Sequence, residues 1–434
     1  MELLKNSKIA IINGLIFNDK FHKGTVLIRN KKIKKIIKGE ITKEKIRNYK
    51  IIDAENCYVS FGFFDPHVHF RCPGYEYKED WDTGSKAAVM GGYAFIVDMP
   101  NNNPSAVDVN TLLDKNNLAK KTKIHYGFYL GLTDSNAFKI KDIYKKLKSL
   151  KVPLLGIKVF LGSSTGNLLI ADNNSIYRSL DTSLINLFHC EDQVTLDKYR
   201  QIKYSSVKDH NKYRPPEAEV NGIKRIIESA KKIKKKSKIY ICHVSSKDQI
   251  NVIERYRSNG FKIIAEVTPH HIFFNLSDIK NSNLFKVNPP IREKIDVDEV
   301  RNKFNNGFFQ IIGTDHAPHL KKEKESKNPP SGFPGLESSF YALYNLYENK
   351  IISLENIFKL LTSGYKIFGI KNRGKIKKGN YADITIIKKK KNIFTSYKTF
   401  TKADFSPFDG LKTGCKIDTV IIDGEIILEN GELK

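Results

Sequence analysis

Long apolar runs are missing from this sequence. No uncharged apolar stretch in its 434 residues approaches the roughly 18 that a membrane span requires. Cysteine is scarce and unpatterned: Cys57, Cys72, Cys190, Cys242 and Cys415 form no C-x-x-C pair and no even framework. That points to a reducing cytoplasm. The opening MELLKNSKIAIINGLIF has a short apolar stretch but lacks a small-residue cleavage site, so no signal peptide is expected. Acidic residues are in the minority, 47 against 74 basic ones, for a net charge of +27. Arginine, the better fork for phosphate, supplies only 12 of those 74. Lys, Ile and Asn are abundant together, as A/T-rich codons would make them. The runs KKIKKK (231–236) and KKKK (388–391) therefore read as solvated faces, and no specific nucleic-acid partner is expected. Also absent are a solenoid period and a low-complexity linker.

What is present is a globular composition, 40% hydrophobic and 28% charged. The length suggests roughly two to three domains and can bury about three quarters of the unfolded surface. Short strand-like runs alternate with longer helical ones between about 58 and 365. The candidate strands are Tyr58–Asp65, Phe95–Met99, Ile124–Gly131, Leu155–Phe160, Leu184–His189, Ile239–His243, Lys262–Val267 and Phe309–Gly313. Several are continuously apolar, as parallel strands buried on both faces are. Eight such alternations predict an α/β fold of the (β/α)8 TIM-barrel type over 58–368. The ends, 1–57 and 369–434, are β-prone, with Asn13-Gly14 and Asp423-Gly424 read as hairpin turns. Neither end can hold a core alone, so both are expected to join in one small β-sandwich domain.

The polar, metal-capable residues sit at the carboxyl ends of the candidate strands. His67 and His69 follow FGFFDP, Lys158 lies in LLGIKVF, His189 ends SLINLFH, His243 ends KIYICH, and Asp315 follows QIIGT. In a barrel these ends share one mouth. Alternate strand residues point the same way, so His67 and His69 can grip one cation. Nitrogen and carboxylate ligands suit zinc, with manganese, cobalt or iron as alternatives. A charged, unpaired Lys158 within an apolar strand costs several kcal/mol, on the order given for buried polar groups. As a neutral amine it can take up carbon dioxide and become an anionic carbamate that bridges two cations. Asp315 can ligate a metal and shuttle a proton, while also capping a helix.

With these residues in place the sequence resembles the amidohydrolase superfamily, and within it the dihydroorotase family. The marks run in the family's order: GFFDPHVHFRCPG, KEDWDTGSKAAVMGGYAFIVDMPNNNP, GIKVFLGSSTGNL, FHCED, CHVSS, EVTPHH, KVNPPIR and GTDHAPH. The resemblance implies that His67, His69 and Asp315 hold one metal, His189 and His243 the other, and carboxylated Lys158 bridges them. It implies a hydroxide shared by the metals as nucleophile toward dihydroorotate, with Asp315 as proton shuttle. Ring closure of N-carbamoyl-L-aspartate, the reverse direction, is the step of pyrimidine synthesis. It further implies that Arg71, Asn101 and His319 contact the substrate carboxylate and that Asn288 contacts the ring. His270 and His271 resemble the family but receive no catalytic role.

Two departures stand out: Cys72 occupies a place usually acidic, and GSSTG also occurs near the allantoinase branch. Allantoinase and dihydropyrimidinase are accordingly the nearest alternatives, and Arg71 is the discriminating residue because their rings carry no carboxylate. A non-catalytic partner of aspartate transcarbamoylase is the reading from another class. It needs lost metal ligands, and here all are present. A homodimer and an association with aspartate transcarbamoylase are compatible with the resemblance and leave no mark in the sequence. Cys190 and Cys242 are read as core fillers beside the metal histidines. The Gly- and Pro-rich stretch 322–335 is read either as a moving lid or as a static excursion.

Overall fold

Apolar runs of five to seven residues become the parallel staves of a barrel in the computed structural model. It describes residues 8–39, 41–163, 168–202, 205–233, 238–279 and 282–434. Five strands come first: β1 (Lys8–Asn18), β2 (Lys20–Arg29), β3 (Lys32–Lys38), β4 (Lys50–Asp53) and β5 (Cys57–Phe61). The barrel strands follow as β6 (Phe63–Val68), β7 (Tyr93–Asp98), β8 (His125–Gly131), β9 (Leu154–Phe160), β10 (Ile185–His189), β11 (Lys238–Ile241), β12 (Ile263–Val267) and β13 (Ile311–Ile312). The chain ends in β14 (Ile384–Ile393), β15 (Lys412–Ile422), β16 (Glu425–Glu429) and β17 (Glu432–Leu433).

Strands β6 to β13 pair in chain order, all parallel. A parallel bridge from Val68 to His316 closes the seam, and the His69 N–H donates to the His316 carbonyl at 2.8 Å. Strands β6, β7 and β10 are buried at every position, because helices cover the outer face and side chains fill the inside. Capping residues start the helices sharply. Asp80 and Asp108 form capping boxes ahead of Trp81–Met90 and Val109–Ala119, and Ser246 caps Lys247–Ser258.

The expected union of the two chain ends is found, as one continuous nine-stranded mixed sheet in the order β17-β16-β15-β14-β5-β1-β2-β3, with β4 also on β1. Strand β5 stands at the join, parallel to β1 and antiparallel to β14. The expected single strand Tyr58–Asp65 is therefore two strands in two different sheets, broken at Gly62. A side chain at Gly62 would place its Cβ 2.5 Å from that of Ala94, so only glycine lets the chain cross there. Because β5 is as fully buried as β6, hydropathy alone cannot reveal the break.

The two expected hairpin turns fare differently. Asp423-Gly424 turns the chain from β15 into β16, with φ of 49° and 73°. Asn13-Gly14 instead lies inside β1, at a register shift between Ile11 and Gly14, and the turn into β2 comes at Asp19. Glycine is needed at position 14 because a Cβ there would sit 2.4 Å from Val59 Cγ2 on β5. Lysines 388–391 are exposed along β14, as expected of a solvated run. The run at 231–236 falls partly outside the described residues, as does the GSSTG turn. Among the described residues no helix is long and apolar enough to cross a membrane.

Candidate metal centre and substrate pocket

Nine of the ten residues singled out from the sequence line one cavity at the barrel mouth: His67, His69, Arg71, Asn101, Lys158, His189, His243, Asn288 and Asp315. His67 belongs to β6, Lys158 to β9 and His189 to β10; His69, Arg71, Asn101, His243 and Asp315 sit just past strand ends, and Asn288 comes from the long connection between β12 and β13. Three of those beyond the strands have left-handed backbones, Arg71 at φ 59°, His243 at 34° and Asp315 at 49°. The left-handed residue breaks the strand's alternation, so consecutive side chains no longer point to opposite faces. The tenth residue, His319, stands behind the wall, with Nε2 3.2 Å from an Arg71 nitrogen and 3.1 Å from the Ser331 carbonyl. Cys72 is buried away from the wall, its carbonyl accepting from Asn102 Nδ2 at 3.0 Å.

The hydrogen bonds dictate where the imidazole lone pairs point. His67 Nδ1 lies 2.8 Å from Glu266 Oε1, and His69 Nδ1 lies 2.6 Å from Asn101 Oδ1. Each acceptor holds a proton on Nδ1 and turns Nε2 inward. Both Nε2 atoms then meet the same oxygen, Asp315 Oδ1, at 3.3 and 3.1 Å. Two lone pairs facing a carboxylate repel it unless positive charge lies between them. Burial opposes an imidazolium at His67, yet Glu266 and Asp315 outweigh it and push the pKa up to about 10. Burial also works against an ionised Asp315, but the three histidines His67, His69 and His243 hold its carboxyl well below the usual range. The trio demands a cation, and it is one of the groups whose donor atoms all lie within 4.8 Å of one another.

The second pair makes the same demand differently. His189 Nε2 is 2.7 Å from Glu191 Oε2, so its Nδ1 lone pair faces His243 Nε2 at 3.0 Å. Whichever proton serves that contact, His243 Nδ1 is left buried without a partner among the described residues. Burial lowers the pKa of both histidines, which keeps them neutral and able to ligate. Between the two histidine groups lies Lys158, 1% exposed and without an ion pair among the described residues. Its Nζ is 3.1 Å from Cys242 Sγ. Cys242 packs in the barrel core, as read from the sequence, and its thiol also faces Lys158; the left-handed His243 is the residue that departs from the strand's alternation. Cys190 packs in the core as well, its thiol against the Phe188 carbonyl. The donor set, four imidazole nitrogens and a carboxylate around an amine, fits divalent cations.

Sequence reasoning missed the residues that hold these donors. Glu266, in the apolar strand β12, accepts from Tyr240 and from the His243 N–H as well as orienting His67. Its signal was legible in principle, since a carboxylate within IIAEV is as anomalous as a lysine within LLGIKVF. Glu191 takes two bonds from Arg214, at 2.8 and 2.7 Å. Burial raises its pKa, but Arg214 and His189 prevail and hold it well below the usual carboxylate range. A buried Lys115–Asp98 pair at 2.8 Å ties the loops bearing Arg71 and Asn101, since Asp98 accepts the Phe70 N–H and Lys115 donates to the Met99 carbonyl and Asn102. The stretch 322–335 is pinned by Lys324, fully buried and donating to the carbonyls of Lys286, Pro330 and Gly332. Ser331 and Gly332 thereby become cavity wall. His271 bonds Thr268 and the Pro289 carbonyl, while His270 packs edge-on against Phe333; neither lines the cavity.

A profile of the amidohydrolase family matches residues 58–427. The chain is 34% identical to the dihydroorotase of Methanosphaera stadtmanae over 99% of its own length and 97% of the relative's. It is 31% identical to that of Pyrococcus abyssi, over 98% and 96%. Among solved structures it superposes on the dihydropyrimidinase of Brevibacillus agri with a TM-score of 0.88 at 24% identity, covering 98% of this chain and 96% of that one. The L-hydantoinase of Arthrobacter aurescens gives 0.89 at 20% identity, covering 99% and 97%.

Proposed function

The chain belongs to the amidohydrolase family, and from that premise we propose that it is a dihydroorotase, interconverting N-carbamoyl-L-aspartate and L-dihydroorotate. The observation that carries the substrate choice is Arg71. It is a buried guanidinium on the wall of a cavity that also holds the metal-ligand set. Burial lowers its pKa only to about 10, so it stays charged at neutral pH. A buried cation at the pocket wall suits a ring that carries a carboxylate.

We assign one zinc ion to His67, His69 and Asp315 and a second to His189 and His243. Lys158 is assigned as a carbamate formed from its amine and carbon dioxide with loss of one proton. When bound, the two cations activate a water molecule and polarise the ring amide. The residues of the chain do the rest. Asp315, held ionised, takes the proton of the attacking water and hands it to the departing ring nitrogen; in ring closure it carries the proton the other way. Arg71 and Asn101 hold the carboxylate, and Asn288 faces the ring. Asn288 is itself set by His210, whose Nε2–H donates to its Oδ1 at 2.8 Å. Glu191 and Glu266 keep His189 and His67 in the ligating tautomer. The five cysteines are buried and unpaired, which fits the cytoplasm. One chain supplies the whole donor set, so neither a second copy nor an aspartate transcarbamoylase is needed to complete it.

Arg71→Ala tests the substrate choice. It is expected to cut kcat/KM for dihydroorotate by about a hundredfold, one charged hydrogen-bonded contact being worth roughly 1.5–3 kcal/mol. Turnover of dihydrouracil, which has no carboxylate, is expected to change little. Unchanged kcat/KM on dihydroorotate would overturn the reading.

A further inference from the structure

His319 has two cationic neighbours and one lone pair. Lys78 Nζ lies 3.0 Å from its Nδ1, and an Arg71 Nη lies 3.2 Å from its Nε2. Both neighbours only donate, and a neutral imidazole accepts at one nitrogen alone. Burial, with the charges of Arg71 and Lys78 added, holds the His319 pKa far below its ordinary value, so the ring is neutral. The question is which cation takes the lone pair.

The surroundings decide it. On the Nε2 side an acceptor is at hand, the Ser331 carbonyl at 3.1 Å. On the Nδ1 side the nearest carboxylate, that of Glu323, is 3.9 Å away and already engaged with Lys78 at 2.9 Å and with the Leu320 N–H at 3.0 Å. A proton on Nε2 therefore satisfies both nitrogens, Nδ1 accepting from Lys78 and Nε2–H donating to Ser331. Either proton meets a cationic donor, Arg71 at Nε2 or Lys78 at Nδ1, but only the one on Nε2 has a free acceptor beside it. Glu323 aims Lys78, which is only 12% exposed and lies against the rings of Tyr75 and Tyr77.

The consequence falls on Arg71. With a proton on Nε2, His319 cannot accept from Arg71, and the guanidinium is anchored through its Nε alone, to the Pro318 carbonyl at 3.2 Å. Its terminal nitrogens stay free for a ligand. We propose that Lys78 is a positioning residue for substrate specificity: by fixing the Nε2–H tautomer of His319 it keeps the Arg71 donors available to the substrate carboxylate. This rests on the reading of Arg71 as the carboxylate site. Without Lys78 the lone pair moves to Nε2, and His319 takes a donor from Arg71.

The test uses the zinc- and bicarbonate-loaded enzyme carrying isotope-labelled histidine. Nitrogen NMR reports the His319 tautomer, assigned by its loss in His319→Gln. The wild type is expected to show Nε2–H, Lys78→Met to show Nδ1–H, and Lys78→Arg to keep Nε2–H. In parallel, Lys78→Met should raise KM for dihydroorotate about tenfold with kcat within about twofold, and Lys78→Arg should recover most of the affinity. A wild-type Nδ1–H tautomer overturns the proposal even if Lys78→Met fails to fold. A tautomer unmoved by Lys78→Met overturns it as well, and so does a switched tautomer with unchanged KM. A wild type that ignores dihydroorotate while showing the expected tautomers would instead sink the substrate reading.

Discussion

The barrel mouth and the terminal sheet both use left-handed backbone, for opposite purposes. In the sheet it appears at Asp19, Asn30, Lys31, Asp423 and Asn430, all but Lys31 residue types that tolerate it, and it turns one strand into the next. At the mouth it appears at Arg71, His243 and Asp315, and each of these side chains lines the cavity. Such a backbone costs about 1–3 kcal/mol per ordinary residue and persists only where the surroundings enforce it. The mouth is therefore the part of the molecule where stability yields to chemistry. Substitutions there should separate activity from folding, and substitutions in the sheet should do the reverse.

The largest expected separation is Asp315→Asn. Turnover should fall to background, while the melting temperature drops by only a few degrees, since the isosteric amide loses just the attraction of the histidines that hold the carboxylate ionised. A large loss of stability would blur the distinction. Glu191→Gln comes next, expected to weaken zinc binding by about 10- to 100-fold in a chelator competition, because one of the two carboxylate oxygens that serve His189 and Arg214 becomes a donor and the charge is lost. Gly14→Ala tests the other side. Its Cβ would meet Val59, so the fold should lose about 1–3 kcal/mol with kcat unaltered.

The smallest effect concerns pH. Glu337 is buried and its pKa is pushed up to about 7, chiefly by burial and despite backbone bonds from Phe400 and Thr401. A carboxyl raised in the folded state stabilises it at low pH, and that contribution is lost as pH rises through the folded value. From pH 6 to 8 the loss is about 1.4 kcal/mol. Glu337→Gln should flatten the decline seen in denaturant titrations over that interval.

The barrel was legible because its strands are apolar without interruption, and Lys158 and His67-x-His69 stood out against that background. The same uniformity hid the break at Gly62, since Tyr58 to Asp65 reads as one run whichever sheet receives it. Asn13-Gly14 misled because a bulge and a hairpin turn ask for the same residues. Glu191, Arg214, Lys115 and Lys78 were invisible for another reason. A charged residue in a helix or loop looks solvated until the fold buries it against its partner, 23 residues away along the chain for Glu191 and Arg214 and 241 for Lys78 and His319.

The most direct measurement is a substrate panel on the purified, zinc- and bicarbonate-loaded protein: dihydroorotate, allantoin and dihydrouracil, each with wild type and Lys158→Ala. Dihydroorotate should be turned over in preference to the other two, and Lys158→Ala should abolish it. Preference for allantoin or dihydrouracil, or full activity without Lys158, would contradict the assignment of Arg71 or of the carbamate.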